Sequence, residues 1–249
     1  MKKMIVFVLL AALCLSLCAC GGQQTIEGKG YDSPEAALTA YAEALKTGNV
    51  PRILSTFAIE TYVEHFDVAA FWTHIGVVVP TGKAFFDSID SYTTGINQIN
   101  RQHEITEHLT NLYITIATGK DPSTYKGAFQ LNGEPYDNAG EFLDEVMMDN
   151  WMATLSEMEF DGSFTYLEDV VRNADTMNKA REQLRNQCGF YGCEEIVSLA
   201  LEIKLDGETY LLCVDTACYD GKWYNLLPIG QVGLFLGAPA NCGGICETE

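Results

Sequence analysis

The sequence predicts an α+β fold, helical in its first part and closed by an antiparallel meander. Apolar residues recur at three- and four-residue steps in stretches between Leu38 and Leu184, alternation with polar neighbours takes over at Val197, and two Asp-Gly pairs, Asp206-Gly207 and Asp220-Gly221, punctuate the alternating part. Before all of this come Lys2, Lys3 and fourteen mostly apolar residues, Met4 to Leu17. That run is too short to span a bilayer comfortably, and with its charged start it reads as an export signal over residues 1–19. Residues 20–30 read as a tether and 31–249 as one extracytoplasmic domain: a helical part over about 31–187, a β-meander over about 196–228, and a cysteine-containing tail, 229–249.

Asp32-Ser33-Pro34-Glu35 carries the marks of a helix start, with Ser33 as cap, Pro34 at the first helical position and Glu35 at the positive end. Leu38, Tyr41 and Leu45 are its buried stripe, Gly48 ends it, and Asn49 to Pro51 opens a second helix with Ile53, Leu54 and Phe57. Phe85, Ile89, Tyr92, Ile96 and Ile99 form a helical stripe, and Ile105, Leu109, Leu112 and Ile116 repeat it after a skip. One helix through both would be very long, so a break near Gly95 or Arg101 into two packed helices is expected. A further helix runs from Ala139 to Met158, with Leu143, Met147, Trp151, Leu155 and Met158 on one side. The last spans Ala174 to Gln187, with Met177, Ala180 and Leu184 inward. Val197, Leu199, Leu201, Ile203 and Leu205 then mark a strand that turns at Asp206-Gly207 into a second, about Thr209 to Tyr219. Asp220-Gly221 leads into a third, Trp223 to Leu227. The inner face of the meander should carry Tyr210, Leu212, Val214, Cys218, Trp223 and Leu227, with Cys213 pointing the other way.

The formal charge is -19, or -21 without Lys2 and Lys3. Such a balance argues against nucleic acid or an anionic membrane face as partner and leaves cationic partners, small ligands and plain solubility open. Six thiols, Cys188, Cys193, Cys213, Cys218, Cys242 and Cys246, lie in the last quarter of the chain. In an exported segment they read first as disulfide candidates, with fifteen possible connectivities for six cysteines. Cys213 and Cys218 are five apart on one strand and face opposite sides unless a bulge intervenes, which leaves twelve. Cys188-Cys193 and Cys242-Cys246 cannot then both be bridges if all six are paired. None of the spacings is that of a zinc knuckle or a redox dithiol.

Leu17-Cys18-Ala19-Cys20 resembles the lipobox that ends a bacterial lipoprotein signal. The resemblance implies that Cys20 is the first mature residue, lipidated through its sulfur and anchored to the outer face of the cytoplasmic membrane or another extracytoplasmic membrane face. Each buried methylene is worth about 0.8 kcal/mol, so two acyl chains hold where one is marginal. Ten flexible residues would then span about 17 Å between lipid and domain. "SPEAALTAYAEALKTGNVPRIL" resembles the first two helices of nuclear-transport-factor-two-like domains, and "DGKWYNLLP" their closing strand. That resemblance implies a cystatin-like cone, a curved sheet wrapped on a helix around a pocket. The helical reading of 61–160 departs from it and implies a large helical insertion.

No catalytic, metal or cofactor constellation is complete. His103 and His108 are five apart, about 140° around a helix, so one ion cannot take both. Ser123 to Lys126 and Lys46 to Gly48 match penicillin-recognising motifs by letters but in the wrong order. Glu141, Glu145 and Asp149, at four-residue steps, are a candidate binding stripe for a cation or basic partner, or else a solvated face. Phe71-Trp72, Phe85-Phe86 and Trp151 are candidates for a ligand pocket or for core. The reading is a membrane-anchored ligand-binding or protein-interaction module whose partner is an unknown protein or small molecule. The alternative is an enzyme with a composite pocket of scattered residues acting on a small molecule or cell-wall fragment. Changing Cys20→Ala should move the protein from the membrane fraction to the soluble extracytoplasmic fraction and abolish labelling by a radioactive fatty acid; retained label would overturn the anchor.

Overall fold

The structure is a computed structural model that describes residues 25–76, 86–118, 150–238 and 242–247. Its helices pack on both faces of an antiparallel sheet, so the chain is α+β.

The N-terminal helices form as their capping residues dictate. In α1, Pro34–Leu45, the Ser33 hydroxyl accepts from the Ala36 N–H at 3.2 Å, and Leu38, Tyr41 and Leu45 are buried. Asn49 caps α2, Val50–Leu54, in the same way. The chain continues through α3, Glu60–His65, and α4, Val68–Ile75, the latter capped by Asp67 and closed by Gly76 in the left-handed conformation. Residues 26 and 27, read from the sequence as part of a flexible tether, are fixed to α3. The Glu60 carboxylate accepts from the backbone N–H groups of Ile26 and Glu27 at 2.9 and 3.0 Å, while Glu27 accepts from those of Ile59 and Thr61.

The long helix α5, Ser91–Thr118, runs for 28 residues without the expected break. Its inward line is Asn97, Arg101, Ile105, Leu109 and Leu112. The apolar stripe chosen from the sequence is on another side: Ile89, just before the helix, is 81 % exposed, Tyr92 75 % and Ile99 66 %. Periodicity failed in this half because two polar residues hold the buried positions. Asn97 earns its place by pairing with a backbone segment, accepting from the Phe86 N–H and donating to the Phe86 carbonyl at 3.1 and 2.7 Å. After α6, Asn150–Ser156, with Leu155 and then Met158 buried as expected, come β1, Phe164–Tyr166, α7, Leu167–Val170, and α8, Ala174–Tyr191. Met177, Ala180 and Leu184 of α8 face inward as the sequence implies.

The meander follows: β2, Glu195–Leu205, β3, Glu208–Tyr219, and β4, Lys222–Pro228. Both hairpin turns have positive φ at Asp and Gly, 50° and 83° at Asp206-Gly207 and 50° and 69° at Asp220-Gly221, the conformation that tight antiparallel turns require. A short strand β5, Ile245–Glu247, pairs with Tyr210 to Leu212 and continues the edge of β3 where β4 stops. Opposite β3, β4 carries a bulge: Asp215 pairs with Leu227 and Thr216 with Asn225, so Leu226 is extra.

Both faces of the sheet are covered, which the single inner face read from the sequence did not anticipate. Leu199, Leu201, Ile203, Leu212 and Val214 pack with residues of α1, α5 and α6, while Ile196, Ala200, Leu211, Cys213 and Ala217 pack with α8 and α9, Gly230–Phe235. Leu211 to Val214 is accordingly an unbroken apolar run. The tail that leads into β5 is threaded tightly: a Cβ on Gly243 would lie 2.3 Å from the Leu112 backbone nitrogen.

The start of α9 is held by two side chains of the sheet. Asp215 accepts from the Gln231 N–H at 3.1 Å, and the Ser198 hydroxyl accepts from the Val232 N–H at 2.8 Å. Burial pushes the Asp215 carboxyl up to about 6 from its ordinary 3.8, against the hydrogen bonds from Ser198 and Gln231. The folded state therefore binds a proton that the unfolded chain has released, and stability falls as pH rises from 3.8 to about 6. Asp215→Asn should remove that loss, so the stability of the variant relative to the natural chain should rise by roughly 2–3 kcal/mol between pH 4 and pH 7.5. Urea titrations across that range check it, and a difference that does not change with pH would contradict it.

Candidate functional site

Among the described residues, a buried arginine, the thiols and a small cleft carry chemistry beyond ordinary packing. Arg101, on the inward line of α5, is 0 % exposed. Its Nε donates to the Ala58 carbonyl at 3.2 Å, one terminal nitrogen donates to the carbonyl of the bulged residue Leu226, and the other donates to Glu104 one turn on. The guanidinium lies 4.1 Å from the centre of the Tyr62 ring. Burial alone would depress its pKa, but Glu104 and Tyr62 more than offset this and the group stays charged. Glu104 is 29 % exposed and connects the buried charge to the surface.

Aromatic rings close the site. Tyr62 packs on Phe66 and Tyr191, and His65 on Tyr219, with centroids 5.2 to 5.4 Å apart. Burial pushes Tyr62, Tyr191 and Tyr219 well above the usual tyrosine range, so none of them is an acid or base near neutral pH. The arrangement clamps α5, the segment before α3 and the β4 bulge together. His65 and His74, without an assignment from sequence, pack on Tyr219 and Phe190, and the His65 Nδ1 lies 2.8 Å from the Thr61 carbonyl.

No disulfide joins the six thiols. Cys213 and Cys246 are in contact, their sulfurs 3.5 Å apart, and Cys218 lies 3.5 Å from a Glu194 carboxylate oxygen. Cys193 beside Cys188, at the end of α8, lowers the Cys188 pKa while its own is raised. The ladder between β2 and β3 is regular from Glu195 to Leu205, so Cys213 and Cys218 face opposite sides of β3 as the parity argument requires. Among the described residues no group of three or more His, Cys, Asp or Glu side chains is arranged to hold a metal.

A cleft of about 130 Å³ lies at the β2 edge, lined by Glu159, Phe160, Asp161, Glu202 and Lys204. It is well below the few hundred Å³ of a typical small-molecule site. Glu141, Glu145, Asp149, Cys20, Phe85 and Ser123 to Lys126 lie outside the described residues. His103 is exposed, as is Phe86, while Phe71 and Trp72 are half-buried. Lys46 to Gly48 follows the end of α1.

The sequence reading missed Arg101 as a functional position, although a signal was present: at four-residue steps back from Ile105 the inward line passes through Arg101 and Asn97.

No family model matches the chain, and no curated protein does. Among solved structures, a cystatin-like protein from Ruminococcus gnavus ATCC 29149 superposes with a TM-score of 0.47 at 12 % identity, covering 87 % of this chain. This chain spans 45 % of the length of that one.

Arg101→Met should cost about 3–5 kcal/mol of stability, because it strands two buried carbonyls and removes a paired buried charge. Glu104→Gln, which keeps an acceptor and reaches solvent, should cost about 1–2 kcal/mol. Urea denaturation measures both, and an Arg101→Met cost under about 1 kcal/mol would show that the clamp is dispensable.

Proposed function

We propose that the chain is a lipid-anchored extracytoplasmic protein whose domain binds a protein partner through one side of α5. The observation that supports this is the exposure of large apolar residues on that side, Tyr92 at 75 % and Ile99 at 66 %, with Ile89 at 81 % exposed in the segment just before the helix. Tyr92, Ile96 and Ile99 follow helical spacing, so they form one strip along the helix. Solitary exposed apolar side chains need no explanation, but Tyr92 and Ile99 exposed on one side of a helix, with half-buried Ile96 between them, suit an interaction surface.

The opposite, inward side of α5 is already committed to Asn97, Arg101 and Ile105, so the strip cannot turn inward without breaking the clamp. Aromatic and branched aliphatic groups together suit a partner presenting an apolar groove or helix. The strong negative charge would keep the rest of the surface soluble.

The anchor limits where that partner can be. Glu27 and Glu60 fix the chain from Ile26 onward, so a lipid on Cys20 would leave a leash of roughly 20 Å at full extension. A partner within or close to the same membrane is the one this leash favours.

Placing a photo-reactive phenylalanine analogue at position 92 of the anchored protein, in intact cells, should give a discrete cross-linked species on irradiation. The same probe at Arg181, exposed on α8, should not. Loss of the species on changing Ile99→Asp, without a change in melting temperature, would place the contact on this strip. Equal cross-linking from positions 92 and 181 would overturn the reading.

A further inference from the structure

Cys213 and Cys246 are brought together by the strand register. Leu211 pairs with Cys246, so the residue facing Cys213 is Gly244, and the Cys213 N–H donates to the Gly244 carbonyl at 2.7 Å. Gly244 has no side chain, and the Cys246 side chain, on the same face two residues on, reaches diagonally across that gap to Cys213. The two sulfurs are 3.5 Å apart. Cys213 is wholly buried, whereas Cys246 is partly exposed at the end of the strap.

We propose that Cys213 and Cys246 are an oxidisable pair whose disulfide latches the strap, Cys242 to Glu247, onto the edge of β3. This is independent of the interaction surface on α5. It also selects among the connectivities that parity leaves open, since it excludes a local bridge between Cys242 and Cys246.

The chemistry is thiol-disulfide exchange with a low-molecular-weight disulfide. Cys246 gives up its proton and its thiolate attacks one sulfur of the oxidant, forming a mixed disulfide and releasing one thiol. The sulfur of Cys213, deprotonated, then attacks the Cys246 sulfur, forming the internal bond and releasing the second thiol. Two protein thiols are oxidised, one disulfide is reduced to two thiols, and the two protons pass to the released thiolates. The exposure of Cys246 makes it the entry point, and the hydrogen bond from Cys213 lowers its pKa in the sense this requires.

The latch acts on a long loop, because the two cysteines are 33 residues apart. Joining them restricts the unfolded chain and holds β5 in place when its few ladder hydrogen bonds open. On the loop-entropy relation, oxidation should raise the melting temperature by roughly 10 °C.

The test uses the full-length protein in detergent, reduced and then equilibrated in mixtures of oxidised and reduced glutathione, alkylated, and digested with trypsin. Cleavage after lysine and arginine leaves Cys213 with Cys218 in Leu205 to Lys222, and Cys242 with Cys246 in Trp223 to Glu249. The expected result is a disulfide between these two peptides that persists in Cys218→Ser and in Cys242→Ser and disappears in Cys246→Ser. Cys246→Ser should melt like the reduced natural chain whether or not oxidant is present. A cross-link that survives Cys246→Ser, one that requires Cys242, thiols that stay free in fully oxidised glutathione, or equal melting of oxidised and reduced protein would each overturn the proposal.

Discussion

A guanidinium with no exposure must be given acceptors on every side, and meeting that demand fixes the relative positions of three parts of this chain. Arg101 draws one acceptor from the segment between α2 and α3, one from the bulge of β4 and one from its own helix. The bulge at Leu226 is intelligible only with the arginine present, since an extra residue in a strand leaves its carbonyl without a ladder partner. Desolvating such a charge is expensive, and apolar side chains would often pack as favourably. What the charge adds is direction: carbonyls must point at it, so α5 can meet β4 in one register.

Two buried asparagines extend the same logic. Asn97 pairs with the backbone of Phe86, and Asn225 donates to the carbonyls of Ala37 and Thr56 at 2.8 and 3.0 Å, tying α1 and the end of α2 to β4. Asn97 pairs backbone that lies outside regular structure, while Asn225 adds a side-chain donor to the Thr56 carbonyl that its own N–H already meets and to a carbonyl within α1. The apolar clusters on the two faces of the sheet supply most of the burial, and these directional contacts select the arrangement in which that burial occurs.

The capping residues of α1 and α2, the inward stripe of α8 and both Asp-Gly hairpins were legible because each depends on its own neighbours in sequence. The long helix was not, because the choice of its buried side is made by acceptors on Ala58 and Leu226, more than forty and more than one hundred residues away. Hydrophobic periodicity followed Ile89, Tyr92 and Ile99 and so picked out the strip that remains outside. The burial of both sheet faces was half legible: Leu211 to Val214 lacks alternation, but nothing local says which helices cover the second face. The pairing of Cys213 with Cys246 depends on a strand of three residues, too short to leave a pattern. The anchor rests on sequence alone, since Cys20 precedes the described residues.

Were the chain exported as proposed, the order in which the sheet is completed would have a consequence. The segment of β3 from Tyr210 to Leu212 has one edge that is covered by β5 rather than by its hairpin neighbour. On that proposal the chain would emerge from its amino end, and this edge would stand open until the residues around Ile245 had crossed the membrane. Open strand edges recruit other chains, and many copies emerging close together on one membrane would face that hazard at high local concentration. Secretion rate, as much as final stability, would then set how much of the protein reaches its native form.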